Sequence, residues 1–274
     1  MRTACLLLVL SVLTLVPGCT DVPNDGIPSY IAFDSVRLVT DATTEGADSE
    51  EIVDVWVQVG DQLLGGYEMP LVLPVFADGD QRLRLDAGIL LNDDYFQREI
   101  YPFYAQVDTQ LTLVPRDTIR PEITVRYAPL AQFPLLEDFE SGNAFDDMGI
   151  DTATEWGVQS GRLDPPRNGS VVSGTSAPVT IPTGGRVFVE LDWWGDEAFF
   201  DLFVEGVAGG ATTEDYRVGR MGTTDGWEKI YLEISNEIGV LADEGYTLRI
   251  EAFGVQDAAN DPVLRLDNVK VIHF

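Results

Sequence analysis

The sequence predicts an all-β chain folded as two β-sandwich domains, and three observations predict it. Apolar residues recur with period two over short runs. The clearest run is 52–59, where Val53, Val55, Val57 and Val59 share one face and Ile52, Asp54, Trp56 and Gln58 the other. Turn residues separate these runs, and the 26 glycines and 15 prolines are scattered rather than clustered. Beyond the N-terminal apolar run no helical period is sustained, and only 236–243 suits a helical turn. With 274 residues, 45% of them hydrophobic, the chain has apolar surface enough for two cores.

The first 18 residues join one Arg to an apolar run from Leu6 and a small residue before Cys19, the pattern of an export leader. Leu15-Val16-Pro17-Gly18-Cys19 resembles the lipobox of bacterial lipoproteins, although Pro17 is unusual there. That resemblance implies cleavage before Cys19 and acylation, including palmitate, of its thiol and new amino group. An ordinary signal peptide cut near Gly18 is the alternative. Cys5 would leave with the leader, so Cys19 would be the one cysteine of the mature chain, with no internal disulfide to form. Residues 19–28 are polar with Gly26, Pro23 and Pro28, and suit a tether. Asp21 and Asp25 weakly resemble the surface-export signal of Bacteroidota lipoproteins.

The first domain is expected over 29–128. Strands are predicted at 30–39, 52–59, 71–76, 82–86, 101–114 and 119–127, with 40–51 a polar, acidic solvent loop. Leu83 and Leu85 should point inward, and Pro70 and Pro74 keep 71–76 from a central position. Asn92-Asp93-Asp94-Tyr95 and Tyr101-Pro102-Phe103-Tyr104 are candidate contact loops, although an aromatic cluster of this kind is more often core or turn packing. The order from Val55 through Gly65 and Pro74 to Ile89 resembles PEGA-like and other transthyretin-like envelope modules. The implied fold is an Ig/transthyretin-like sandwich.

A Pro-bearing linker is expected over 129–136, with a second domain over 137–274. Strand-like runs at 171–172, 179–181, 186–193, 199–205, 216–218, 227–234, 246–253 and 263–272 predict a jelly-roll-like sandwich of eight or nine strands. Phe139-Glu140-Ser141-Gly142, Val189-Glu190-Leu191-Asp192-Trp193, Trp227 to Leu232 and Leu266-Asp267-Asn268-Val269-Lys270-Val271 together resemble jelly-roll carbohydrate-binding modules and related lipoproteins. Many of those bind calcium where the first strand lies beside the last. The resemblance therefore implies one structural Ca²⁺ on Asp138, Glu140, Asp267 and Asn268, since calcium takes about six to eight oxygens in irregular geometry. Exposed flat aromatics beside hydrogen-bonding groups would make a glycan face, and Trp156, Trp193, Trp194 and Tyr216 are the candidates. Trp193 and Trp194 are adjacent, so on a strand they must point to opposite faces.

Charge excludes some functions. The chain has 46 acidic residues against 17 Lys and Arg, a formal −29, with 28 Asp, 18 Glu and lysine only at Lys229 and Lys270. No basic patch is available for phosphates, so no nucleic-acid partner is expected. The pattern resembles that of proteins from salt-loving organisms; a calcium-rich or simply acidic secreted protein is the alternative. The sole histidine, His273, is penultimate, which argues against a His-assisted nucleophile or a His-rich metal centre. The residues 206–210 lack the Lys and following helix of a phosphate loop.

The expectation is a non-enzymatic, lipid-anchored outer-membrane protein, facing the periplasm or the surface, resembling two-domain envelope lipoproteins of Bacteroidota. It would act as a structural or protein-interaction module with an envelope protein partner. The alternative is a surface lipoprotein that binds polysaccharide through its second domain.

Overall fold

A computed structural model describes residues 26–155, 157–241 and 243–274. The leader, Cys19 and most of its tether, together with Trp156, lie outside the described residues. The first sandwich contains β1 (Ser29–Phe33), β2 (Val36–Leu38), β3 (Asp54–Val59), β4 (Gln62–Glu68), β5 (Leu71–Val75), β6 (Gly79–Leu90), β7 (Arg98–Ile100), β8 (Val107–Leu113), β9 (Thr118–Ile119) and β10 (Ile123–Val125). One sheet runs β4-β3-β6-β7, with β8 also paired to β6; the strands β5-β1-β9 and β10-β2 supply the other side. Alternation determines what is buried: Val55, Val57, Val59, Leu83 and Leu85 meet Ile31, Phe33, Leu73, Val75 and Ile123 in one core. Each such side chain contributes roughly 1.5–3 kcal/mol by leaving water. β5 lies at a sheet edge, where Pro74 costs no ladder hydrogen bond.

The second sandwich contains β11 (Gln132–Glu137), β12 (Phe145–Asp146), β13 (Gly149–Asp151), β14 (Ser160–Leu163), β15 (Val172–Ser176), β16 (Val187–Asp196), β17 (Ala198–Ala208), β18 (Ala211–Met221), β19 (Glu228–Glu233), the helix α1 (Ser235–Leu241), β20 (Gly245–Gly254) and β21 (Val263–His273). Its sheets run β13-β14-β21-β16-β19, with β11 added on β21, and β12-β15-β20-β17-β18.

Three expectations are corrected. The predicted linker is largely strand: β11 pairs antiparallel with β21, Leu135 opposite Val271 and Leu136 opposite Lys270, because Leu135 belongs to the second core. The predicted strand at 101–114 begins only at Val107. Pro102 interrupts it, and Tyr101, Phe103 and Tyr104 form a buried turn instead. The polar loop at 40–51 is not wholly solvated, since Ser49 is buried and the Ala47 carbonyl accepts a hydrogen bond from Lys270 Nζ.

The reason lies in how the two sandwiches meet. Val187, Val189, Leu191 and Trp193 of β16 enter the second core, while Phe188, Glu190 and Asp192 on the opposite face are buried as well. Phe188, Tyr231 and Ile272 pack into the first core. The first sandwich thus sits on the outer face of the β13-β14-β21-β16-β19 sheet.

Candidate functional site

Between the sandwiches lies a polar layer built from β16, β19, β21 and the turn at 101–104. Glu190 is fully buried and accepts hydrogen bonds from Tyr101 Oη at 2.6 Å and Tyr127 Oη at 2.7 Å. Lys229 Nζ stands 3.5 Å from Glu190 and 4.0 Å from Asp192, and donates to Ser49 Oγ at 3.1 Å. Lys270 Nζ donates to Tyr127 Oη at 3.1 Å, and Tyr104 and Tyr231 join their hydroxyls at 3.0 Å. The two lysines of the chain are therefore both interior. Burial pushes Lys270 down to about 8 and holds the hydroxyls of Tyr101, Tyr104, Tyr127 and Tyr231 well above the usual tyrosine range. The layer joins the domains.

The acidic candidates do come together. Asp138, Glu140, Asp267 and Asn268 line one cavity of about 300 Å³ with Asp48, where β11 lies beside β21. A bulge in β21 makes this possible: Glu190 opposes Lys270 but Asp192 opposes Asp267, and Asn268 takes φ 49°. Asn268 Nδ2 thereby reaches Asp192 Oδ2 at 2.8 Å. The carboxylates already hold protein donors. Glu140 accepts the amides of Val158 and Gln159, which hold it below the usual carboxylate range. Asp267 accepts from Thr154 Oγ1 and the Asn268 amide, and burial, aided by Asp192 and Glu140, pushes it up to about 6. Among the described residues no three His, Cys, Asp or Glu side chains are placed to hold a metal ion.

The aromatic candidates do not converge. Trp193 is 3% exposed and packs edge-on against Phe200 at 5.2 Å, so it offers no face to a ligand; the strand's parity sent it into the core. Trp194, on the opposite face, is half-buried under the Arg265 guanidinium at 4.6 Å and lies 6.4 Å from Trp227. Tyr216 is exposed on β18, in the other sheet.

What the sequence reading missed is the outer face of the β12-β15-β20-β17-β18 sheet. Phe199 and Phe253, cross-strand partners on β17 and β20, stack with ring centroids 5.1 Å apart and planes 5° from parallel. Arg220 lies 5.0 Å above each ring and grips Asp201 with two bonds of 2.7 Å. Beside them Arg249 covers Phe203 at 4.2 Å and pairs with Glu205, Glu251 and Asp215. The face is thus a row of half-buried rings interleaved with oriented guanidinium and carboxylate groups. The alternation of Phe199, Asp201, Phe203 and Glu205 was the available signal.

No protein-family model matches the chain, and no curated protein matches it either. Among solved structures it is similar to a family 29 carbohydrate-binding module at 14% identity, covering 52% of this chain and 88% of that one, with a TM-score of 0.34. A family 29 module complexed with mannohexaose matches at 14% identity over 52% of this chain and 91% of that one, TM-score 0.33. The cleaved adhesin domain K3 of Lys-gingipain from Porphyromonas gingivalis W83 matches at 9% identity over 52% and 98%, TM-score 0.36.

Proposed function

We propose that this chain is a non-enzymatic envelope protein, held by acyl chains on Cys19, whose second sandwich binds a neutral polysaccharide on the outer face of the β12-β15-β20-β17-β18 sheet. The observation that carries the reading is the row Phe199, Phe253 and Phe203 beneath Arg220 and Arg249. The guanidinium planes laid over these rings, with the ring surface they leave uncovered, give a pyranose an apolar flank, and the fixed bidentate groups suit its hydroxyls. The carboxylates of this face, Asp201, Glu205, Asp215 and Glu251, are each paired with arginine, an arrangement that favours binding over acid–base chemistry. A formal charge of −29 favours a neutral glycan over an anionic one.

Calorimetric titration of the mature protein with cellohexaose and mannohexaose tests the face. Arg220→Ala and Phe253→Ala are expected to weaken binding at least about tenfold, or ~1.4 kcal/mol, with a native-like circular dichroism spectrum confirming that each variant is folded. Unchanged affinity in both variants, or no binding by the native protein, removes the glycan reading. The anchor has its own test. Mass spectrometry of the native protein is expected to find an acylated N-terminal Cys19, and Cys19→Ser should move the protein from the detergent phase to the aqueous one. An unmodified thiol ends the tethered account.

A further inference from the structure

On the first sandwich, far in sequence from the face just described, lies a second cleft lined by aromatic and charged side chains. It measures about 330 Å³ and is lined by Asp54, Trp56, Gly66, Tyr67, Glu68, Tyr95 and Arg98. Asp54 and Trp56 share the outer face of β3, being two residues apart. Trp56 is 37% exposed and pairs across the sheet with Gly66. A Cβ at Gly66 would come within 2.9 Å of the indole, so the ring lies flat on the glycine backbone and turns its other face outward. Tyr95, 59% exposed, adds a second ring, with the Arg98 guanidinium 4.6 Å from its centroid.

The polar groups are held in place. Arg98 Nη1 meets Asp54 Oδ1 at 2.6 Å, Arg98 Nη2 meets Glu68 Oε2 at 3.2 Å, and Arg98 Nε donates to the Tyr95 carbonyl at 3.3 Å. Asp54 itself leans over Gly88, where a Cβ would stand 2.9 Å from the Asp54 Cβ, so two glycines seat the two side chains that floor the cleft. A core role would bury these rings, and a simple surface ion pair would not need an indole laid flat beside it. An apolar platform with a few fixed donors and acceptors at its rim is the composition of a small-ligand site.

We propose that this cleft binds a neutral pyranose unit, stacked on Trp56 and hydrogen-bonded by Arg98, Asp54 and Glu68. The two carboxylates outnumber the one guanidinium, so an acidic sugar would be repelled. The volume suits a short stretch of glycan rather than an extended chain. The site uses none of the residues of the C-terminal face, and the two proposals fail separately.

The test is ¹⁹F NMR of the mature protein labelled with 5-fluorotryptophan, the Trp56 resonance being assigned from its loss in Trp56→Phe. Titration with cellohexaose, mannohexaose and xylohexaose is expected to shift that resonance with at least one of the three. The shift should persist in Arg220→Ala, where binding at the C-terminal face is impaired. Arg98→Ala should weaken the titration about tenfold, and Gly66→Val should abolish it by lifting the indole. Both variants are checked for unchanged melting, and Arg98→Ala serves alone if Gly66→Val does not fold. A Trp56 resonance unmoved by all three sugars, or moved only by an envelope protein fraction, overturns the proposal.

Discussion

Replacing Glu190 with alanine is expected to cost about 3–5 kcal/mol of unfolding free energy, the loss that follows when one member of a buried ionic network is removed. Glu190 is fully buried, accepts hydrogen bonds from Tyr101 and Tyr127, and pairs with Lys229 at 3.5 Å. Its removal leaves the Lys229 ammonium with only Asp192, at 4.0 Å, and Ser49 as partners, and takes the carboxylate acceptor from two buried hydroxyls. The melting temperature should fall by roughly 6–20 °C, taking 2–4 °C per kcal/mol for a chain of this size. Glu190→Gln keeps an acceptor but not the charge, and should fall between. Glu190→Leu with Lys229→Met should recover part of the loss, because a buried ion pair costs desolvation that apolar packing does not. The same variant reports on domain coupling. Phe188, Tyr231 and Ile272 lie in the first core, so Glu190→Ala should keep one cooperative transition at a lower denaturant midpoint. A loss below about 1 kcal/mol, or two separated transitions, would show that the sandwiches fold independently.

Stability is also expected to rise steeply with salt. The formal −29 is an excess of carboxylate over cationic charge that no pairing can cancel. Screening therefore removes more repulsion than attraction, since exposed pairs such as Arg82–Asp108 and Arg120–Asp34 are each worth about 0–1 kcal/mol. The screening length falls from about 10 Å at 0.1 M to about 3 Å at 1 M. The urea midpoint should climb over that interval. Sucrose, which stabilises by exclusion without screening, should give a smaller gain at matched osmolality. A midpoint that is flat or falls with NaCl would set aside the salt-adapted reading.

The β class was legible because period-two burial is local. Val55 to Val59, Leu83 with Leu85, and Val187 to Trp193 carry their facing in the residue order, and α1 falls on the one stretch that suited a helical turn. The candidate sites were less legible. Proximity of Asp138, Glu140, Asp267 and Asn268 followed from the supposed pairing of first and last strands, which β11 and β21 make. Trp193 could not be assigned by adjacency alone, because parity says that it and Trp194 face opposite ways but not which way is inward. The row Phe199, Phe203 and Phe253 needs two strands 50 residues apart to be placed side by side.

By itself the order of residues determined composition, charge, strand period and the positions of the turns, all properties of the chain within a few residues of each point. Only the tertiary structure decided that β16 is buried on both faces, that residues 132–137 form a strand and not a linker, and that Lys229 sits against Glu190 and Asp192 while Lys270 is buried against Tyr127. Those outcomes depend on which second surface covers the first. That choice is made by the summed burial of two sheets and the pairing of their few interior charges, and no local pattern encodes it.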